Sequence, residues 1–304
     1  MMAAKQTPRL RGELLHNEPL ARHTSWRAGG PARCFYTPAD LDDLACFIAG
    51  LPAGEQVLWI GLGSNLLVRD GGFPGTVIST FGGMSGLRML DECTLRVEAG
   101  VACAKVARFM TRHGLTGGEF LAGIPGSMGG ALAMNAGAWG GETWQYVAAV
   151  ETLDRRGERR LRKPDDFEIG YRHVRGPADE WFIAGHLRFT PGDTAAAQAR
   201  IKDLLERRAA TQPTNQPSCG SVFRNPPGDH AARLIEACGL KGQCIGAACV
   251  SEKHANFIIN TGGARAADIE ALIARVRDTV EREQGVRLMP EVRIVGVDAG
   301  DVNA

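Results

Sequence analysis

The chain has 304 residues, 39 of them glycine, and its 35 Lys plus Arg nearly cancel its 34 Asp plus Glu. That length accommodates two or three compact domains, and the charge balance argues against a polyanionic surface partner such as nucleic acid or membrane, so any anion recognition must be local. The glycine excess lies in loops between apolar runs without a repeat, which excludes disorder as its cause.

The first 20 residues are polar and lack an apolar signal core, so no secretory signal is expected. No uncharged run approaches the length of a membrane span. Residues 1–18 read as a loose leader, with order beginning near Pro19. After the turn Thr24-Ser-Trp-Arg-Ala-Gly-Gly30, residues 33–36 read as a short strand. Thr37 is placed to cap a helix with Pro38 at its first position, because Leu41, Leu44, Ala45 and Ile48 share one face before Gly50. Val57-Leu-Trp-Ile60 is an apolar strand running into Gly61-Leu-Gly-Ser-Asn65, after which Leu66-Leu-Val68 resumes strand character. A strand, glycine turn, strand order differs from a dinucleotide fingerprint, so this is either a main-chain nest for phosphate or a plain tight turn.

Residues 76–79 and 95–98 read as strands and 104–113 as a helix stopped by Gly114. From Gly117 to Gly141, nine of 25 residues are glycine. Glycine is costly to order and lets a ligand approach the backbone, so the stretch either seats something flat or anionic or packs on another backbone. The helix-like run behind it would add a positive N-terminal dipole. Strands follow at 147–153 and 181–190, with an Arg-rich hairpin at Asp154-Arg-Arg-Gly157 and a loop at Phe167-Glu-Ile-Gly-Tyr-Arg172 between them. Residues 195–210 read as a helix, with a domain boundary at about 192–215. The last third holds a helix at 232–238, a strand at 256–260, a long helix at 267–284 with one apolar stripe, and a closing strand from Pro290. The order is that of an α+β protein.

The eight cysteines, at 34, 46, 93, 103, 219, 238, 244 and 249, show no C-x-x-C and no zinc-finger pairing with histidine. Unpaired thiols in a reducing cytoplasm are expected. The histidines show no paired spacing, and no metal is expected. Cys219 has no evident base and is read as incidental; His254, before a strand, is read as core or surface. Taken singly, Ser221 reads as a turn cap, Glu291 as a surface strand residue and Arg172 as a solvated loop charge.

In combination they read differently. Gly61-Leu-Gly-Ser-Asn65, Ala122-Gly-Ile-Pro-Gly-Ser-Met-Gly-Gly130, Asn135-Ala-Gly-Ala138, Gly170-Tyr-Arg172, Gly220-Ser-Val-Phe-Arg-Asn-Pro226 and Pro290-Glu-Val-Arg293 stand in one order along the chain. This series resembles the MurB family, the UDP-N-acetylenolpyruvoylglucosamine reductases, from about Pro19 to Gly296. The short segment between Gly170 and Trp181 lacks an extra tyrosine-bearing loop and resembles the family's shorter type II form.

The resemblance implies an α+β chain with a two-subdomain FAD-binding fold of the vanillyl-alcohol-oxidase-like (PCMH) class. Its subdomains would span 19–90 and 91–205, followed by an α+β substrate-binding domain at 206–290 and a returning strand at 291–304. It implies noncovalent FAD on Gly61, Gly63, Ser64, Asn65 and Leu66, on Ile124, Pro125, Gly126, Ser127, Gly129 and Gly130, and on Asn135, Ala136 and Gly137. NADPH would reduce the flavin, and UDP-N-acetylglucosamine enolpyruvate would then accept a hydride at C3 and a proton at C2. Ser221 is the implied proton donor, Glu291 the catalytic glutamate and Arg172 the stabiliser of the enolpyruvyl carboxylate. Asn225 would contact the diphosphate or the uridine, and Arg208 and Arg224 are further candidates for the phosphate charge. A cytoplasmic monomer in peptidoglycan precursor synthesis is expected. Two rivals remain at this point: a flavin oxidase or dehydrogenase acting on an alcohol, which would leave Ser221 without a role, and a nucleotide-binding regulatory or structural protein, which would take up no flavin.

Overall fold

The computed structural model describes residues 10–300; the first half of the expected leader and residues 301–304 lie outside the described residues. The chain opens on β1 (Glu13–Pro19), which pairs antiparallel with β2 (Pro31–Thr37). Order therefore begins before Pro19, correcting the expected leader. β1 is an edge strand whose polar residues lie on both faces, so only its partner identifies it. Helix α1 (Leu41–Ala49) starts later than Thr37 and Pro38 suggested. Thr37 is held in the ladder opposite Glu13, while the Asp40 carboxylate accepts from the amides of Asp42 and Asp43. Strands β3 (Val57–Ile60), β4 (Leu66–Val68) and β5 (Phe73–Ser79) follow; β5 lies parallel between β2 and β3, giving the order β1-β2-β5-β3.

The second layer begins with β6 (Leu87–Met89), β7 (Thr94–Glu98), α2 (Cys103–Arg112) and β8 (Leu115–Thr116). The glycine stretch then forms a 3-10 turn (Glu119–Gly123), α3 (Met128–Met134), and the two-residue strands β9 (Gly137–Ala138) and β10 (Gly141–Glu142). β11 (Val147–Asp154), β12 (Arg159–Arg162), β13 (Glu168–Gly170), β14 (His173–Arg175), β15 (Glu180–Arg188) and β16 (Thr190–Pro191) complete it. The main sheet is antiparallel in the order β12-β11-β15-β7-β6. The expected loop at 167–172 is instead the β13–β14 hairpin, with Tyr171 and Arg172 at its tip. Leu95, Val106, Met110, Met128, Leu132, Val150 and Leu187 form the core between this sheet and its helices. Helix α4 (Thr194–Thr211) packs onto the same core through Ile201 and Leu205, so the division expected at 205/206 falls inside a continuous helix.

The last third contains α5 (Ala231–Ala237), β17 (Cys244–Ile245), β18 (Ala248–Val250), β19 (Ile258–Asn260), α6 (Ala266–Gln284) and β20 (Arg293–Val295). The expected stripe of α6, Ile269, Leu272, Ile273, Val276 and Val280, is buried. Trp26, Ala28 and Leu67 from the first third share that core. β20 returns to pair parallel with β4, and the Asp70 carboxylate accepts from the first amides of α6, at Ala266 and Ala267, each at 2.9 Å. Cys244 and Cys249 are joined by a disulfide, which corrects the expectation of eight free thiols: four residues separate them in sequence, but the β17–β18 hairpin sets them opposite each other. Among the described residues no helix is long and apolar enough to cross a membrane.

Candidate active site

A cleft of about 610 Å³ runs between the glycine loops and the last third of the chain. One wall is main chain from 61–66 and 123–130; opposite stand Arg172, Arg208, Ser221, Asn225 and Glu291. Among the described residues, the carboxylates on its lining are Glu180 and Glu291.

The glycine wall is built by close approach. A Cβ on Gly61 would overlap the Ser127 hydroxyl, and Gly63, at φ +59°, turns so tightly that a Cβ would strike the His23 carbonyl. Among the described residues, the amides of 61–65 donate to no protein acceptor, and neither do those of Gly126 and Ser127. They are left as a nest for an anion. The start of α3 does not contribute as expected: the amides of Met128 and Gly129 already donate to the carbonyls of Val101 and Ala99, both at 2.8 Å. A glycine-rich wall with unspent amides suits the diphosphate and ring of a dinucleotide such as FAD.

The expected cofactor residues distribute unevenly. Gly61, Gly63, Ser64, Asn65, Leu66, Ile124, Pro125, Gly126, Ser127, Gly129, Gly130, Ala136 and Gly137 line the cleft. Asn135 does not. It ends α3 at φ 47°, and its side chain is spent on Glu142, the Gly170 carbonyl and the Trp144 amide. Its part is to hold the β13–β14 hairpin beside the glycine stretch.

That hairpin carries Arg172, itself at φ 53°. Its Nε donates to Glu291 Oε1 at 3.0 Å, Nη2 to the Gly137 carbonyl at 2.8 Å and Nη1 to the Asn135 carbonyl at 3.3 Å. Both partners of the ion pair are largely enclosed, with side chains 16% and 13% exposed. Burial pushes the Glu291 carboxyl above its ordinary value; Arg172 and, more distantly, Arg224 pull the other way without cancelling it. Glu291 is thus a carboxyl that holds its proton more tightly than an exposed one would.

Ser221 follows Gly220, whose φ of +80° turns the chain into the cleft. The segment behind it is fixed: the Val222 amide donates to the Asn256 carbonyl at 2.9 Å, Asn256 and Phe223 exchange two further bonds, and the Glu291 amide donates to the Val222 carbonyl at 2.7 Å. Asn225 lines the cleft with its Oδ1 engaged by the Ala231 amide at 3.1 Å. Arg208 is half-buried there; its Nε donates to Gln212, and burial draws its guanidinium below the usual range. Arg224 lies off the cleft lining with its Nε buried and without a partner.

Burial raises the Cys219 thiol well above its ordinary value and Glu291 adds to this, so no thiolate forms there. His254 lies edge-on to Phe257, a cleft residue, and burial lowers its basicity. The sequence reading left out Trp139, Tyr171, Phe257 and Arg293 from the lining. Trp139 and Tyr171 are half exposed at the rim, and a large aromatic inside a glycine-rich stretch was the available signal for the first.

Comparison with known proteins gives the following. Residues 32–161 match an FAD binding domain family, and residues 212–295 match the family described as UDP-N-acetylenolpyruvoylglucosamine reductase, C-terminal domain. A UDP-N-acetylenolpyruvoylglucosamine reductase of Alkalilimnicola ehrlichii is 64% identical over 296 residues, 97% of this chain and 99% of that protein. One from Legionella pneumophila is 60% identical over 286 residues, 94% of this chain and 93% of its own. A crystal structure of UDP-N-acetylenolpyruvylglucosamine reductase (MurB) from Thermus caldophilus superposes with a TM-score of 0.79 at 33% identity, covering 93% of this chain and 98% of that one.

Proposed function

The chain belongs to the UDP-N-acetylenolpyruvoylglucosamine reductase family, as an FAD-binding oxidoreductase, and from that premise we propose a mechanism in which NADPH is the hydride donor and Ser221 the proton donor. The substrate is UDP-N-acetylglucosamine enolpyruvate and the product UDP-N-acetylmuramate, for peptidoglycan precursor synthesis in the cytoplasm. The observation that carries the reading is a single cleft whose lining joins the unspent amides of 61–65 to Arg172, Ser221 and Glu291.

The loops at 61–66, 124–130 and 136–137 would hold FAD, which when bound supplies the hydride for substrate C3. Every other role belongs to the chain. Arg172 presents a planar guanidinium to the enolpyruvyl carboxylate, exchanging Glu291 and carbonyl partners for two substrate oxygens and holding the charge that develops as hydride arrives. The Ser221 hydroxyl gives its proton to C2. Serine is a weak acid, so the transfer requires a strongly basic carbon, which hydride addition provides. Glu291, with its pKa raised by burial, returns a proton to the serine directly or through an ordered water. Asn225 Nδ2 and Arg208 are available to the diphosphate, while Arg224 acts from outside the lining as background charge.

The test separates the half-reactions. In Ser221→Ala, reduction of bound FAD by NADPH should stay within a few-fold of the parent. Reoxidation by substrate should slow by about 10²- to 10⁴-fold, the usual contribution of a positioned proton donor. Equal losses in both halves would make Ser221 structural, and a parent protein without substrate-dependent NADPH oxidation would overturn the whole reading.

A further inference from the structure

Asn65 belongs by sequence to the cofactor loop, yet its side chain is turned elsewhere. Its Nδ2 donates to the main-chain carbonyl of Glu291 at 3.0 Å and lies 3.0 Å from the sulfur of Met134, the last residue of α3. Its amide nitrogen is thereby engaged by two acceptors of the protein itself. Its main-chain carbonyl accepts from the Arg293 amide at 3.2 Å, so one residue grips the chain on both sides of Val292.

This grip stands where regular pairing is missing. The parallel ladder between β4 and β20 begins at Leu66 and Arg293, so the Glu291 carbonyl precedes the first rung. Pro290 before it has no N–H to give. A carboxamide presents an N–H much as the main chain would, and Asn65 extends the ladder by one step. On its other side the Glu291 amide donates to the carbonyl of Val222, next to Ser221. The backbone of Glu291 is therefore suspended between the glycine loop and the serine turn.

We propose that Asn65 is a positioning residue, which sets the place of Glu291 relative to the cofactor loop and Ser221 and acts in substrate reduction rather than in holding FAD. The proposal rests on the reading that Glu291 serves the substrate half-reaction. It assigns the main chain of Asn65 to the cofactor nest and its side chain to the acid.

The experiment uses full-length, FAD-loaded protein carrying Asn65→Leu or Asn65→Ala, neither of which can donate. Expected are an FAD dissociation constant and an FAD reduction rate by NADPH within about threefold of the parent, while the limiting rate of reoxidation by UDP-N-acetylglucosamine enolpyruvate falls at least tenfold with a nearly unchanged half-saturating concentration. In a Glu291→Gln background the Asn65 substitutions should slow reoxidation far less than in the parent, because they act through a group already disabled. A tenfold loss of FAD affinity, equal slowing of both half-reactions, full additivity with Glu291→Gln, unchanged kinetics throughout, or failure of both variants to fold would each overturn the proposal. If instead Glu291→Gln alone leaves reoxidation intact, the catalytic reading of Glu291 fails first, whatever Asn65 does.

Discussion

Glu291 concentrates two demands that a single carboxylate seldom meets. Burial raises its pKa, while the Arg172 guanidinium at 3.0 Å favours its charged form, with Arg224 and the protonated Cys219 thiol as its other titratable surroundings. The consequence for stability has a definite sign. A carboxyl whose folded pKa lies above its unfolded one binds its proton more tightly in the fold, so it costs stability as pH rises from the ordinary carboxylate range through the raised value. Glu291→Gln should therefore make the protein more resistant to thermal unfolding than the parent at neutral and alkaline pH, an advantage that shrinks in acid. The same variant should slow substrate reduction by about 10²- to 10⁴-fold. Melting curves at two pH values decide the first point, and a parent more stable than the variant at high pH would mean that the Arg172 pair outweighs burial. Single residues also show why part of the site was hidden in the sequence. Gly61 and Gly63 mark a turn locally, and Ser221 read alone as a turn cap gained its role only from the ordered series of motifs; the bond from Asn65 to Glu291 spans more than two hundred residues and exists only in the fold.

At the level of elements, what was legible is what carries its own period or stop. Helix α6 shows a full apolar stripe and ends at Gly285 in the left-handed region, and β3 is an uninterrupted apolar run, so both could be read locally. β1 could not, since its residues do not alternate and its order comes from β2. The same holds for the β13–β14 hairpin, whose residues gave only a loop signal although Asn135 ties it down, its side chain donating to the Gly170 carbonyl and its main-chain carbonyl accepting from Arg172. The start of α6 is another case in which a distant residue completes an element. Arg265 stands at its N-cap and the first two amides are satisfied by Asp70, from the loop after β4. Asp70→Ala leaves both without that acceptor and removes a negative charge from the positive end of the helix. The expected loss is about 1–2 kcal/mol by urea unfolding, in the range of a strong N-cap. A change below a few tenths would show that water replaces the carboxylate without penalty.

The whole molecule is organised by where the last third is fastened. Its core includes Trp26, Ala28 and Leu67, the Trp26 indole donates to the Ile258 carbonyl at 2.7 Å, Asn260 donates back to the Trp26 carbonyl at 2.9 Å, and β20 pairs with β4. Among the described residues the side-chain hydrogen bonds across the cleft are few by comparison: Arg172 to Glu291, and Lys253 to the Ala209 carbonyl at the end of α4. Burial of apolar surface is the larger and less easily exchanged contribution, so the last third is bound more firmly to the first layer than to the layer that carries the β13–β14 hairpin. Trp26→Phe keeps most of that burial but strands the Ile258 carbonyl, at a cost of about 1–3 kcal/mol. Trp26→Ala adds a cavity and should cost about 3–5 kcal/mol. If Trp26 is the pin between the parts, the alanine variant should also be cut faster by protease in the connector at 212–218 than in the exposed turn at 155–158, which belongs to the other layer. Equal acceleration at both sites would show that the two layers loosen together, and that the fastening is shared by the whole chain.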